Sequence, residues 1–338
     1  MSDVDAEFSN VLATAAAAAA LWIAACCGSA QGQTGEANAI GSTDLGARGG
    51  PVARPSSGPK QDDAAATFEF SASAGFASDY IYRGTTMTDH KPVVGAALEA
   101  AFGQFYASGT MANVKLPTQP AAEIAMGGGV RPSLGSVDFD LNWTYYAYPG
   151  ETPGSPGINY WETLARADTK LGEALRVAGG FAYSPNYSNT GAWSKYTAFG
   201  LGIDLPRNVL PQNVTASLNG AAGYFWFGNQ SAELGGFPLP AYLNWHAGVT
   251  FTRKPFNLDL RYYDTNLSKE DCFVFTGDPN AVPGGRINPV TNPDGLMSRW
   301  CSATFVANFW FEFQYRASAH NENKRAFPEL SQAEREPD

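Results

Sequence analysis

The chain has 338 residues, a net charge of −10, 16% charged residues and 13% aromatics. A soluble domain carries roughly 25% charged residues, and the acid excess excludes a basic nucleic-acid-binding surface. A mean hydropathy of −0.22 excludes a polytopic helical membrane protein.

In chain order, Val11 to Cys27 is the only strongly apolar run. At 17 residues near the amino end it reads as a signal-peptide core rather than a spanning helix, with Gly28-Ser29-Ala30 offering small residues for cleavage. Residues 1–30 are therefore expected to be a signal peptide. Its start is atypical, since Asp3, Asp5 and Glu7 stand where Lys or Arg belongs; a misassigned start codon would account for this. Ile23 to Cys26 also faintly matches a lipoprotein box, so a lipidated Cys26 is the alternative. Residues 31–66, rich in Gly, Ala, Ser and Pro, read as a disordered linker.

From Thr67 a period of two sets in. Phe68, Phe70, Ala72, Ala74 and Phe76 alternate with Glu69, Ser71, Ser73 and Gly75, predicting a first strand from Thr67 to Tyr82. The second has Val94, Ala96, Leu98, Ala100 and Phe102 on one face and Glu99 on the other, then turns at Gly103-Gln104. Phe105 to Val114 and Ala122 to Arg131 follow. The clearest strand starts at Val137: Phe139, Leu141, Trp143 and Tyr145 face away from Asp138, Asp140, Asn142, Thr144 and Tyr146, and Pro149-Gly150 ends it. Further strands are expected over 159–167, 174–184, 193–204, 214–226, 242–251, 257–264 and 302–315, making twelve. Residues 316–338 read as a polar C-terminal tail.

Connections after odd-numbered strands are mostly long and those after even-numbered strands mostly short. That asymmetry predicts an all-β, transmembrane, antiparallel up-and-down β-barrel over 67–315, with long loops outside and both ends periplasmic. A lipocalin-like barrel would reverse the facing, apolar inside. The even, high strand count, the scarcity of charge on the apolar face and aromatics near strand ends favour lipid outside. Those aromatics (Tyr80, Tyr82, Tyr145, Tyr148, Tyr160, Trp161, Trp226, Tyr242, Trp245, Trp300) suggest an interfacial girdle. Lys195 is the exception, aligned with Phe199, Leu201 and Ile203; snorkelling at a rim or a bulge at Gly200 would explain it.

Several segments resemble the TorF family of porin-like proteins, the Gcw_chp-type proteobacterial outer-membrane group. Ser78-Asp79-Tyr80, Arg83-Gly84 and Lys91-Pro92 match its leading signature. Tyr145 to Gly150 matches its mid-chain strand end, Asn159 to Glu162 a further element, and Tyr263-Asp264-Thr265-Asn266 its step before a cysteine. The resemblance covers about residues 67–315 and implies a bacterial outer-membrane barrel with a porin label. The leader and the tail depart from the pattern.

Alternation places Glu69, Asp79, Glu99, Glu123, Asp138, Asp140, Glu162, Asp259 and Glu312 inward, against Arg83, Arg131, Arg166, Arg176 and Arg261. These charges make either a wet lumen with a mild cation preference or polar filler in a narrow barrel. Asp79 and Arg83 form either a constriction pair with Lys91 or a staple for the first loop. Cys272 and Cys301 bracket the longest loop, and such a pair in an exported protein is read as a disulfide. His90, His246 and His320 stand in no catalytic arrangement, so no enzyme is expected, and no metal or cofactor. The expected function is passive diffusion of small polar or charged solutes across the outer membrane. Expected partners are outer-membrane lipid, those solutes and the outer-membrane assembly machinery, with no nucleic acid. The alternative is a non-conducting barrel whose extracellular loops bind a ligand or partner.

Overall fold

Strands dominate the computed structural model, which describes residues 67–318. The expected signal peptide, the linker and most of the tail lie outside the described residues. Twelve long strands form the wall: β1 (Thr67–Ala77), β2 (Val93–Phe102), β3 (Phe105–Ala112), β4 (Glu123–Val130), β5 (Val137–Ala147), β6 (Tyr160–Leu171), β7 (Leu175–Ser184), β8 (Ser194–Asp204), β9 (Thr215–Phe227), β10 (Tyr242–Arg253), β11 (Phe256–Thr265) and β12 (Thr304–Ser318). Each pairs antiparallel with its sequence neighbours, and β1 pairs with β12, so the sheet closes on itself. Closure leaves no edge carrying unpaired N–H and C=O groups, the condition for a sheet in hydrocarbon.

Side chains sort as the period of two requires. Leu98, Leu141, Phe199, Leu218, Leu260 and Phe311 are exposed on the outside, while Ser71, Glu99, Thr144, Asn219, Thr250 and Asp259 are buried inside. The lipocalin-like facing is thereby excluded. Outer rings meet across strands, as Phe76 and Phe309 do at 5.5 Å. Lys195 points outward at the end of β8, with its ammonium 4.9 Å from the Trp193 ring. The ladder runs unbroken through Gly200, so no bulge turns Lys195.

Three departures from the expected elements matter. The first strand stops at Ala77 rather than Tyr82. Residues 79–88 are all buried, folded back into the barrel as a hairpin in which Ile81–Tyr82 pairs with Thr85–Thr86. Its turn places Arg83 at φ 47° and Gly84 at φ 85°, the two left-handed residues a tight hairpin needs. Second, β12 runs on to Ser318, so Arg316 belongs to the wall and pairs with Glu69. Third, the longest connection contains a helix, α1 (Lys269–Thr276), whose N-cap Ser268 side chain accepts from the Asp271 N–H. The Cys272–Cys301 disulfide ties α1 to the start of β12.

Candidate functional site

The inward hairpin crosses the long-loop half of the lumen and is held on several walls. At its tip, Arg83 Nη2 donates to Glu162 Oε1 on β6 at 2.9 Å. The guanidinium carbon lies 4.2 Å from the Tyr196 ring centre on β8, 4.5 Å from Phe225 on β9 and 4.7 Å from Tyr82. Burial opposes the Arg83 charge, but the Glu162 carboxylate outweighs it and holds the guanidinium above its ordinary range. Tyr242 on β10 donates its hydroxyl to the Arg83 carbonyl at 3.1 Å. Tyr80 donates to Glu123 Oε1 on β4 at 2.8 Å, and Tyr148 to Oε2 at 2.9 Å. At the hairpin base Asp79 accepts the hydroxyls of Thr86 at 2.6 Å and Thr88 at 2.8 Å, and meets His90 Nδ1 at 2.8 Å.

Rings fill the space around the tip. Tyr146 stacks on Tyr160 at 4.9 Å, Tyr187 meets Phe225 at 5.4 Å, and Phe275 from α1 meets Phe227 at 5.2 Å. Tyr196 lies against Gly223, where any Cβ would overlap its ring. An aromatic chamber with one buried ion pair therefore occupies the loop end of the barrel.

Toward the short-turn end the lumen is polar. Arg131 forks onto Glu99 at 2.6 and 2.8 Å, reaches Asp140 at 3.4 Å and lies 3.7 Å from the Tyr106 ring centre. Asp168 takes Arg176 at 3.0 Å and Arg166 at 3.4 Å. Arg261 binds Asp259 through two nitrogens at 2.8 and 2.9 Å and donates to His246 Nδ1 at 2.8 Å. Glu312 accepts from Gln314 at 2.6 Å, and Asp138, at the mouth, accepts from Ser133 at 2.6 Å.

The expected lumen charges thus face inward, but the proposed Asp79–Arg83–Lys91 triad does not form. The turn at residues 83–84 carries Arg83 across to Glu162, while Lys91 follows the returning arm to the rim. There its exposed ammonium pairs with Asp89 at 3.2 Å, beside Lys115 at 3.1 Å. Among the other motif residues, the Ser78 hydroxyl accepts the Ala307 N–H at 3.1 Å, and Pro92 leads into β2. Asp264 accepts the Tyr262 hydroxyl and the Thr265 N–H, both at 2.8 Å. Thr265 donates to the Cys301 carbonyl at 2.9 Å and backs onto Gly84.

The expected girdle also needs correction. Trp161 and Trp226 lie outside, but Tyr80, Tyr82, Tyr148, Tyr160, Tyr242 and Trp300 are buried. Adjacent strand residues point opposite ways, so Tyr160 faces in and Trp161 out. Asp168, Tyr106, Tyr187, Tyr196, Phe225 and Phe275 were not singled out from sequence. Tyr196 and Phe225 carried a readable signal, as bulky rings, with Phe227, in an inward register otherwise made mostly of Ser, Ala, Gly and Asn. Among the described residues no cluster of His, Cys, Asp and Glu is arranged to hold a metal ion, and no helix is long and apolar enough to cross a membrane.

No curated protein sequence matches the chain. Among solved structures it resembles an outer membrane channel from Pseudomonas putida F1, at 9% identity and TM-score 0.36, over 77% of this chain and 100% of that one. LpxR from Salmonella typhimurium matches at 9% identity and TM-score 0.32, over 73% and 99%. OccD3 of Pseudomonas aeruginosa matches at 12% identity and TM-score 0.30, over 60% of this chain and 58% of its own length. A family model matches residues 61–282, and the chain belongs to that family, the bacterial proteins of unknown function called Gcw_chp.

Proposed function

We propose that the protein is an outer-membrane channel of porin type, as the TorF resemblance implies, passing small polar or charged solutes with a mild preference for cations. It is exported by its signal peptide, inserted by the outer-membrane assembly machinery, and closed in this conformation by the hairpin at residues 79–88. One observation carries the reading: apolar side chains face out and hydrogen-bonded polar ones face in around a closed barrel. Inside, Arg131, Arg166, Arg176, Arg261 and Arg83 are each engaged by a carboxylate, while Asp138 and Glu312 take their hydrogen bonds from Ser133 and Gln314. Acid therefore exceeds base along the lumen, which favours cations.

The burial of every residue from Asp79 to Thr88 favours the second reading, a non-conducting barrel whose loops bind a partner. Planar-bilayer recording of the purified barrel separates the two. Discrete conductance steps with a reversal potential shifted toward the cation are expected. Silence from correctly folded protein would replace the channel by the binding role.

A further inference from the structure

We propose that the aromatic chamber is a binding site for solutes carrying a guanidinium head, and that Arg83 is a tethered occupant which such a solute replaces. This rests on the channel reading, because the hairpin must yield for a solute to enter.

The chamber has the parts a cation site needs. Tyr196 and Phe225 belong to the wall and present ring faces to the guanidinium at 4.2 and 4.5 Å, and Glu162 supplies the opposite charge at 2.9 Å. The tethered occupant uses this equipment incompletely. A guanidinium matches a carboxylate best as a two-bond fork, as Arg131 does on Glu99. Arg83 makes a single bond to Glu162 and leaves Glu162 Oε2, and its own Nε and Nη1, buried without a hydrogen-bond partner among the described residues. Two more buried hydroxyls without such a partner, Ser184 and Ser194, stand opposite each other on β7 and β8. Ser184 is one step along the ladder from the Tyr183–Thr163 pair, at the level of Glu162 on β6.

The reason for the mismatch is the tether. Arg83 enters from a left-handed turn whose carbonyl is fixed by Tyr242, so its guanidinium reaches Glu162 from an anchored backbone. An untethered guanidinium has no such constraint. It can fork onto both oxygens of Glu162 and still lie in the corner made by the two nearly perpendicular rings, with N–H groups left for the serine hydroxyls. An alkylammonium carries the same charge but lacks the planar fork, so it binds more weakly.

The test uses Arg83→Asn in the full barrel, since Asn tolerates the left-handed backbone, and calorimetry with ethylguanidinium and ethylammonium in detergent micelles. Saturable ethylguanidinium binding is expected, about tenfold tighter than ethylammonium and weakened about tenfold when Glu162→Gln is added. No binding, or binding indifferent to Glu162→Gln, overturns the site. Should Arg83→Asn not fold, Met87→Cys in the otherwise unchanged protein decides. Ethylguanidinium is expected to speed its maleimide labelling by displacing the hairpin, ethylammonium much less, and an unchanged rate overturns the proposal. A barrel that binds but stays silent in bilayers keeps the site and loses the channel. One that conducts without binding loses the site alone.

Discussion

Gly84 offers a direct measure of how firmly the hairpin is docked. Its φ is +85°, and a Cβ added there would overlap Thr265 Cγ2 on β11 and press on Asn244 Cβ of β10 at 3.0 Å. Gly84→Ala therefore incurs two costs. The left-handed backbone costs alanine about 1–2 kcal/mol, and overpacking a close contact about 1–3 kcal/mol more, a total of about 2–5 kcal/mol. Gly103 supplies the control: it sits at φ +59°, and a methyl group there would meet nothing within 4 Å. Gly103→Ala should cost the backbone part alone, about 1–2 kcal/mol. The difference, about 1–3 kcal/mol, is the contact between hairpin and wall. Urea unfolding of both variants in detergent micelles, followed by tryptophan fluorescence, measures it. Equal costs at Gly84 and Gly103 would mean that the hairpin does not rest on the wall, and the proposed closure of the lumen would go with it.

Three further outcomes are expected. Mass spectrometry of an unreduced digest should recover peptides crosslinked through Cys272 and Cys301, and their reduction should cost about 3–4 kcal/mol, the loop-closure value for a bond between residues 29 apart. Asp140→Cys should react with a water-soluble thiol reagent faster than Leu141→Cys in lipid vesicles; the reverse order would invert the facing. The hydrogen bond His90 donates to Asp79, against the effect of burial, raises the His90 pKa above its ordinary value. That stabilisation is complete below about pH 6.5 and is lost as pH rises through the higher folded value. The unfolding midpoint should therefore fall across that window in the native protein, and a His90→Asn variant that keeps the same slope would remove His90 from the account.

The wall of this barrel was legible in the sequence. Strand number, facing and the alternation of long and short connections all follow from a period of two, because each residue's face depends on its neighbours along one strand. Leu141 and Asp140 need no distant partner to point apart. The same local rule put Glu99, Asp140, Glu162, Asp259 and Arg261 inward. The Cys272–Cys301 pairing was legible too, since those two cysteines bracket the longest loop while Cys26 and Cys27 fall in the expected leader.

What only the tertiary structure decided is where the chain goes when it leaves the wall. The segment after Ala77 continues an apolar pattern through Tyr80, Ile81 and Tyr82 that suits a strand as well as a plug. The choice is made by groups distant in sequence: Glu162 receives Arg83, Glu123 receives Tyr80, Tyr242 caps the turn, and Gly84 fits against Thr265. Pairing of charges was hidden for the same reason. Alternation says that Arg83 and Asp79 both face the lumen, but which carboxylate an inward arginine meets depends on the path of the turn between them. Local periodicity assigns each residue a side of the sheet, whereas partners across the lumen are set by barrel closure and by the hairpin packed within it.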